Sequence, residues 1–167
     1  GDVMAALVHP ISLAQALFGP GIESVRCMGD QTPTNMRLYY PEDGNGPPRG
    51  VMINTDTGDS PGGGLYASCY GTKGVVHSPP LNEWEFPHGA VEITRQIKQM
   101  VVEEKGPVPD DEMIEVIAVV DAARQSLQEG GQPVYVQKVV DQARAESAAE
   151  NRAPRVPLKP VLLAPGM

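Results

Sequence analysis

The chain has 167 residues, of which 41% are apolar, and its 21 acidic and 13 basic residues give a formal net charge of −8. This length fits one globular domain, which buries roughly 70% of the surface that its unfolded chain exposes. The negative charge argues against nucleic acid or an anionic membrane surface as a partner.

Two cysteines, Cys27 and Cys69, lie far apart in the sequence, and neither has a second cysteine near it. This spacing is not that of a disulfide framework or a zinc knuckle. It favours two small buried thiols in a cytoplasmic protein. No apolar run reaches the length of a membrane-spanning helix, so no membrane partner is expected.

The first twenty residues predict a helix that is interrupted near Pro10. The residue before a proline is disfavoured in the helical region, so His9 is expected to leave it. A helical face then restarts at Ile11 and continues to Phe18, where the sequence Gly-Pro-Gly ends it.

Three segments, 23–28, 35–40 and 50–55, have the composition and alternation of β-strands. In the second, Met36, Leu38 and Tyr40 alternate with Arg37 and Tyr39, which predicts a half-buried strand. Residues 64–78 predict a hairpin around a tight turn at 71–74. The glycine-rich stretch 56–63 is not a phosphate loop, because no Gly-Lys-Ser/Thr and no helix follow it.

Two further helices are predicted. The segment 90–104 is amphipathic, with its apolar residues expected to face the core: Ala90, Ile93, Ile97, Met100 and Val101. The segment 110–129 is apolar on most sides and is therefore expected to be buried on most sides, including at Met113 and Ile117. Gly130 and Gly131 stop it before a strand at 134–136.

This order predicts an α+β fold with an open, mainly antiparallel sheet and helices 1–18, 89–104 and 110–129 on one face. We assign 1–137 to this domain and 138–167 to a helical segment with a proline-rich extended tail. The other sheet face is expected to carry Arg37, Tyr39, Tyr66, Ser68 and Tyr70. Arg and Tyr are enriched at interfaces, so we predict a homo-oligomer through this open face.

Three motifs in the right order resemble the C-terminal domain of the Gfo/Idh/MocA oxidoreductases, the glucose–fructose oxidoreductase and inositol dehydrogenase family. The first, VHPISLAQALFG at 8–19, is similar to the family's Gly-Val-His-Pro-Ile-Asp-Leu segment. The second, YGTKG at 70–74, is similar to its Gly-Thr-x-Gly turn. The third, AARQSLQEGGQPVYV at 122–136, is similar to its closing helix, with a Ser and Gly, and final strand.

The resemblance implies a two-domain enzyme that acts on a sugar or polyol with NAD or NADP. Its nucleotide half has no match in 1–167: neither a G-x-G-x-x-G between strand and helix nor a Glu-Lys-Pro segment is present. We therefore expect a fragment, or a gene product without the nucleotide half, that binds no dinucleotide and is not a dehydrogenase by itself.

The resemblance also implies a catalytic role for His9, which matches the family's site histidine. The family has an Asp four residues before this His and another three after it, where this chain has Ala5 and Ser12. A carboxylate would orient the imidazole and support its charge as it takes a hydroxyl proton. His9 is therefore either a substrate-site base without its usual partner or a structural histidine at a helix end.

Trp84, Lys73 and Ser12 complete the candidate substrate-binding residues. Trp84 either lines a sugar-facing pocket, because aromatic rings stack on sugars, or anchors its loop to the core. Lys73 either contacts the substrate or is a solvated residue of the turn. A metal triad of His9, His77 and His88 lacks helical ligand spacing, so no metal site is predicted.

Two functions of different classes follow. The chain is either the substrate-binding and oligomerisation domain of an NAD(P)-dependent sugar or polyol oxidoreductase, or a non-catalytic dimerisation or small-ligand-binding module of the same fold. A G-x-G-x-x-G and a Glu-Lys-Pro segment upstream in the reading frame would distinguish the first from the second.

Overall fold

The computed structural model describes residues 7–29, 35–41, 50–54, 67–79, 86–106 and 108–150. It has four helices and six strands in these ranges. The helices are α1 (Val8–Phe18), α2 (Phe86–Glu103), α3 (Asp110–Gln128) and α4 (Val136–Glu150). The strands are β1 (Ser24–Met28), β2 (Asn35–Tyr39), β3 (Gly50–Asn54), β4 (Ser68–Gly71), β5 (Gly74–His77) and β6 (Val134–Tyr135). The predicted α+β class is confirmed.

Four strands form an open antiparallel sheet in the order β3-β2-β1-β6. Its register pairs Val25 with Leu38 and Leu38 with Val51 on one face, and Arg26 with Arg37 and Arg37 with Met52 on the other. Successive side chains of a strand point to opposite faces, so the predicted alternation becomes a buried face and an open face.

The buried face of the sheet lies under α3, which packs on β1. Val119, Ala122 and Ala123 of this helix are fully buried. Both α1 and α4 pack on α3. All helices that complete this core therefore lie on one side of the sheet, as predicted. Cys27 is buried in this core, and both cysteines are free thiols.

The predicted break at His9 and Pro10 is absent, whereas the earlier part of the predicted helix, residues 1–6, lies outside the described residues. Helix α1 runs continuously from Val8, with His9 and Pro10 as its second and third residues. The first turn of a helix has backbone N–H groups without intrahelical partners, so a missing N–H there removes no hydrogen bond.

The hairpin and helix α2 depart from the predicted packing. Among the described strands, β4 and β5 pair with each other alone, as a two-stranded sheet separate from the four-stranded one. Helix α2 was expected to face the core, but Ala90, Ile93, Ile97, Met100 and Val101 are all exposed. An amphipathic pattern indicates that a face requires cover, but it does not identify the cover.

Helix α3 also has an open side. Met113 and Ile117 were predicted to be buried, but they are 51% and 55% exposed. The predicted strand 134–136 is shortened to two residues because α4 begins at Val136, and the predicted boundary at 137/138 falls inside α4. No described helix is long and apolar enough to cross a membrane.

Candidate functional site

The residues predicted for a sugar site lie on two separate elements. His9 and Ser12 are exposed and lie three residues apart in α1, a spacing that puts both on one side of the helix. Lys73 is exposed in the turn between β4 and β5. Trp84 lies outside the described residues, as do Ala5 and Tyr66. None of the described three lines either of the clefts below.

His77 has a partner within its own hairpin, and the side chain of His88 lies outside the described part of the structure. His77 Nδ1 lies 2.8 Å from Ser68 Oγ, across the β4–β5 pair, so this imidazole has a hydrogen-bond partner within its own hairpin. No group of three His, Cys, Asp or Glu side chains suited to a metal occurs among the described residues.

The open sheet face is the surface that most clearly lacks a cover. We define it by the outward side chains of β1, β2 and β3: Arg26, Met28, Arg37, Tyr39 and Met52. The Arg37 guanidinium lies over the Tyr39 ring, 4.7 Å from its centroid. Met52 is 54% exposed. Arg, Tyr and Met are the residue types enriched at protein interfaces.

Two arginines stand side by side at the centre of this face. Arg26 and Arg37 are directly opposite each other in the register of β1 and β2. Like charges in this position repel. Arg26 Nε donates to the Gly131 carbonyl at 2.9 Å, and Arg37 stacks on Tyr39, so each guanidinium is held in place. The face thus presents two fixed cations on an otherwise acidic chain.

A polar cleft of about 680 Å³ lies where β6 meets α3 and α4. Three of its four charged residues have partners. Glu115 accepts hydrogen bonds from the Gly21 N–H at 2.8 and 3.0 Å, and Arg144 lies 3.2 Å from Asp111. These contacts tie α3 to the turn before β1 and to α4, which gives the cleft a structural explanation.

An apolar groove of about 300 Å³ runs between α3 and α4. We call it the helical groove; its lining residues are Met113, Ile114, Ile117, Ala118, Asp121, Val139, Val140 and Ala143. Its lining is apolar except at Asp121, so its chemistry fits an apolar side chain or helix better than a sugar.

Sequence reasoning placed Arg37 and Tyr39 on the open sheet face, but it wrongly added Ser68 and Tyr70, which belong to the separate hairpin. It missed the arginine pair and the groove. Arg37 was predicted on that face from the alternation of β2. Arg26 required the register between β1 and β2, which single-strand patterns do not contain. The sequence did contain an indication of the groove, because the apolar face of α3 is wider than packing on the sheet requires. Ile114 and Ile117 belong to this additional width.

The described residues do not fit a dinucleotide site of the Rossmann type. Such a site needs a glycine-rich turn from a parallel strand into a helix. Every strand pair in the described ranges is antiparallel. No step of a hydride-transfer reaction can therefore be derived from these residues.

No protein-family model matches this chain, and no curated protein or solved structure matches it significantly either. The resemblance to the oxidoreductase family rests on the three sequence motifs alone.

Proposed function

We propose that this chain is the substrate-binding and oligomerisation domain of an NAD(P)-dependent sugar or polyol oxidoreductase of the Gfo/Idh/MocA type. The observation that carries the proposal is the set of three motifs in the family's order, and the antiparallel sheet with α1, α3 and α4 on one side agrees with the fold that they imply. In the proposal, the nicotinamide nucleotide belongs to the other half of the parent enzyme, and the compartment is the cytoplasm. Two free cysteines support that compartment.

The open sheet face supports the oligomerisation part. Met52 and Met28 are about half exposed, and Tyr39 and Arg37 provide a flat stacked surface beside them. Rigid aromatic and guanidinium groups lose little conformational entropy when a partner covers them. A second copy of the chain is the proposed partner.

The test of this part is sedimentation of the pure chain at concentrations from about 1 to 100 μM, the range of weak interfaces. Met52→Glu introduces a charge on the open sheet face and should weaken association by roughly tenfold or more. Val76→Glu is the matched control, because Val76 is also an exposed apolar strand residue but belongs to the separate hairpin. Equal association of the wild type and both variants would contradict the open face as an interface.

The substrate part rests on His9, Ser12, Lys73 and Trp84 as the resemblance assigns them. Trp84 is the chain's single tryptophan, so its fluorescence reports its surroundings without labelling. Titration with sugars and polyols should change that fluorescence, and His9→Ala should weaken the change. A response that is unaffected by His9→Ala would separate sugar binding from the proposed catalytic histidine.

The second candidate is a non-catalytic dimerisation or small-ligand module of the same fold. The exposure of His9 on α1 favours it, because a general base works best when it is desolvated and oriented by a partner group. Absence of a G-x-G-x-x-G and a Glu-Lys-Pro segment from the upstream reading frame, together with no sugar response, would support this candidate.

A further inference from the structure

Helix α2 presents an uncovered apolar face. Ile93, Ile97 and Val101 follow one another at helical spacing and are all more than half exposed, with Met100 beside them. In proteins, most of the stability of an amphipathic helix comes from tertiary packing of its apolar face. Something is therefore required to cover α2.

The helical groove is an uncovered surface of matching chemistry on the same chain. Met113, Ile114 and Ile117 line it from α3, and Val140 and Ala143 line it from α4. An apolar groove between two helices is a common docking site for a third, amphipathic helix, which places its i, i+3 and i+4 residues in the groove.

Charge selects α2, rather than a second groove, as the occupant. Helix α3 contains five acidic residues and one basic residue, so two grooves placed face to face would repel each other. Helix α2 contains two of each sign: Glu92, Glu103, Arg95 and Lys98. Asp121, the charged residue of the groove lining, is already paired with Arg124 of its own helix at 2.7 Å, so the groove sets no unpaired charge against the apolar face of α2.

The linker between α2 and α3 is short and rich in proline. It is the six residues 104–109, with the sequence Glu-Lys-Gly-Pro-Val-Pro. Antiparallel helix hairpins use loops of about 2–5 residues. Pro109 has an extended backbone, with φ −56° and ψ 141°, and a residue before proline also favours extension. A proline-rich connection is stiffer than a glycine-rich one, and this favours exchange of an element between copies over folding back.

We propose that two copies of this chain exchange α2, each placing the Ile93–Ile97–Val101 face into the helical groove of the other. The contact is isologous, so each variant removes both of its halves at once. It is separate from the open sheet face, and it stands whether or not the oxidoreductase proposal holds.

Adjacent valines provide a matched test. Val101 and Val102 are 75% and 74% exposed in the single chain, but one helical step of about 100° puts Val102 on the side opposite Ile93 and Ile97. In sedimentation against concentration, Val101→Asp should raise the dissociation constant of this contact by roughly 100-fold or more, because it buries an unpaired charge. Val102→Asp should leave it unchanged. Equal effects of the two variants would overturn the proposal.

A groove variant separates exchange from the other arrangements. Ile117→Asp should weaken the same association as strongly as Val101→Asp does. An Ile117→Asp chain that still associates like the wild type would mean that α2 pairs with another α2, and the proposal would fail. Loss of thermal stability that does not depend on protein concentration, in both variants, would mean that α2 folds onto its own groove, and the proposal would also fail.

Mixing the Val101→Asp and Ile117→Asp variants tests the exchange directly. A Val101→Asp copy keeps its groove, and an Ile117→Asp copy keeps its α2, so the mixture restores one of the two docking contacts. Association of the mixture should exceed that of either variant alone. No gain on mixing would overturn the exchange. Met52→Glu, on the open sheet face, should leave this gain intact and so separates the two interfaces.

Discussion

Replacing Ser126 by Ala tests how β1 is held against the end of α3. Ser126 is fully buried, and its Oγ accepts a hydrogen bond from the Cys27 N–H at 2.9 Å. The same Oγ donates to the Gln132 carbonyl at 2.6 Å. Strand β6 is short and pairs with β1 at Ser24 and Val25. At Cys27, past the end of β6, the Ser126 hydroxyl provides the hydrogen bond that a neighbouring strand would otherwise provide.

The expected loss of stability is the cost of leaving one buried N–H group without a hydrogen-bond acceptor. The Ser126→Ala substitution would leave the Cys27 N–H buried without a partner, which costs about 1–3 kcal/mol of unfolding free energy. The Gln132 carbonyl belongs to an exposed residue, so water replaces its lost donor at little cost. Alanine also gains a few tenths of a kcal/mol in helix propensity over serine. The net destabilisation is therefore about 1–2.5 kcal/mol.

Urea or thermal unfolding measures this loss, and Ser12→Ala is the control. Ser12 is exposed in α1, so its replacement has the same propensity gain without a buried bond. A loss of about 2 kcal/mol lowers the midpoint by roughly 4–8 °C in a chain of this size. Surface substitutions usually change the unfolding free energy by no more than about 0.5 kcal/mol. If the unfolding free energies of Ser126→Ala and Ser12→Ala differ by less than this amount, Ser126 does not act as a strand neighbour for β1.

Three further predictions follow. Gly131→Ala should lower the unfolding free energy by about 1 kcal/mol more than Gly130→Ala does in the same urea assay. Both glycines have a positive φ, but a Cβ at 131 would lie 3.2 Å from the Cys27 carbonyl oxygen, whereas a Cβ at 130 would have no atom within 4 Å. Burial raises the pKa of the Cys27 thiol, so a thiol reagent should label Cys69 before Cys27. For the same reason the unfolding free energy should fall as the pH rises above about 8.5, where the Cys27 thiol ionises in the unfolded chain but not in the folded one. A fall that persists in Cys27→Ala would contradict this cause. The chain with NAD or NADP and a panel of sugars and polyols should give no nicotinamide absorbance change above a protein-free blank, and turnover that is lost on His9→Ala would refute this.

The strands were predictable because burial on one side imposes a period of two. Met36 and Leu38 are buried while Arg37 is exposed, as the alternation indicated. The hairpin turn was predictable because Gly74 sits at φ 136°, in a conformation that glycine accepts readily. Local rules of this kind need no knowledge of partners.

The errors came from features that depend on distant residues. Ala90 to Val101 has a correct helical period, but the period does not state whether the cover comes from the same chain. Ser126 was noticed only through a family resemblance, because its two partners lie 99 and 6 residues away along the chain. The candidate site has the same problem, since His9 needs a neighbour that sequence spacing did not supply.

The uncovered surfaces have one physical consequence in common. The open sheet face, the apolar face of α2 and the helical groove all remain exposed while the core under α3 is complete. Scattered exposed apolar residues are ordinary on a monomer, but contiguous faces on regular elements are not. Two of the three, the helix and the groove, match each other in chemistry, and the third has the composition of an interface. We therefore expect association to complete burial in this chain, so that the surfaces proposed to set its oligomeric state would also contribute to the stability of each copy.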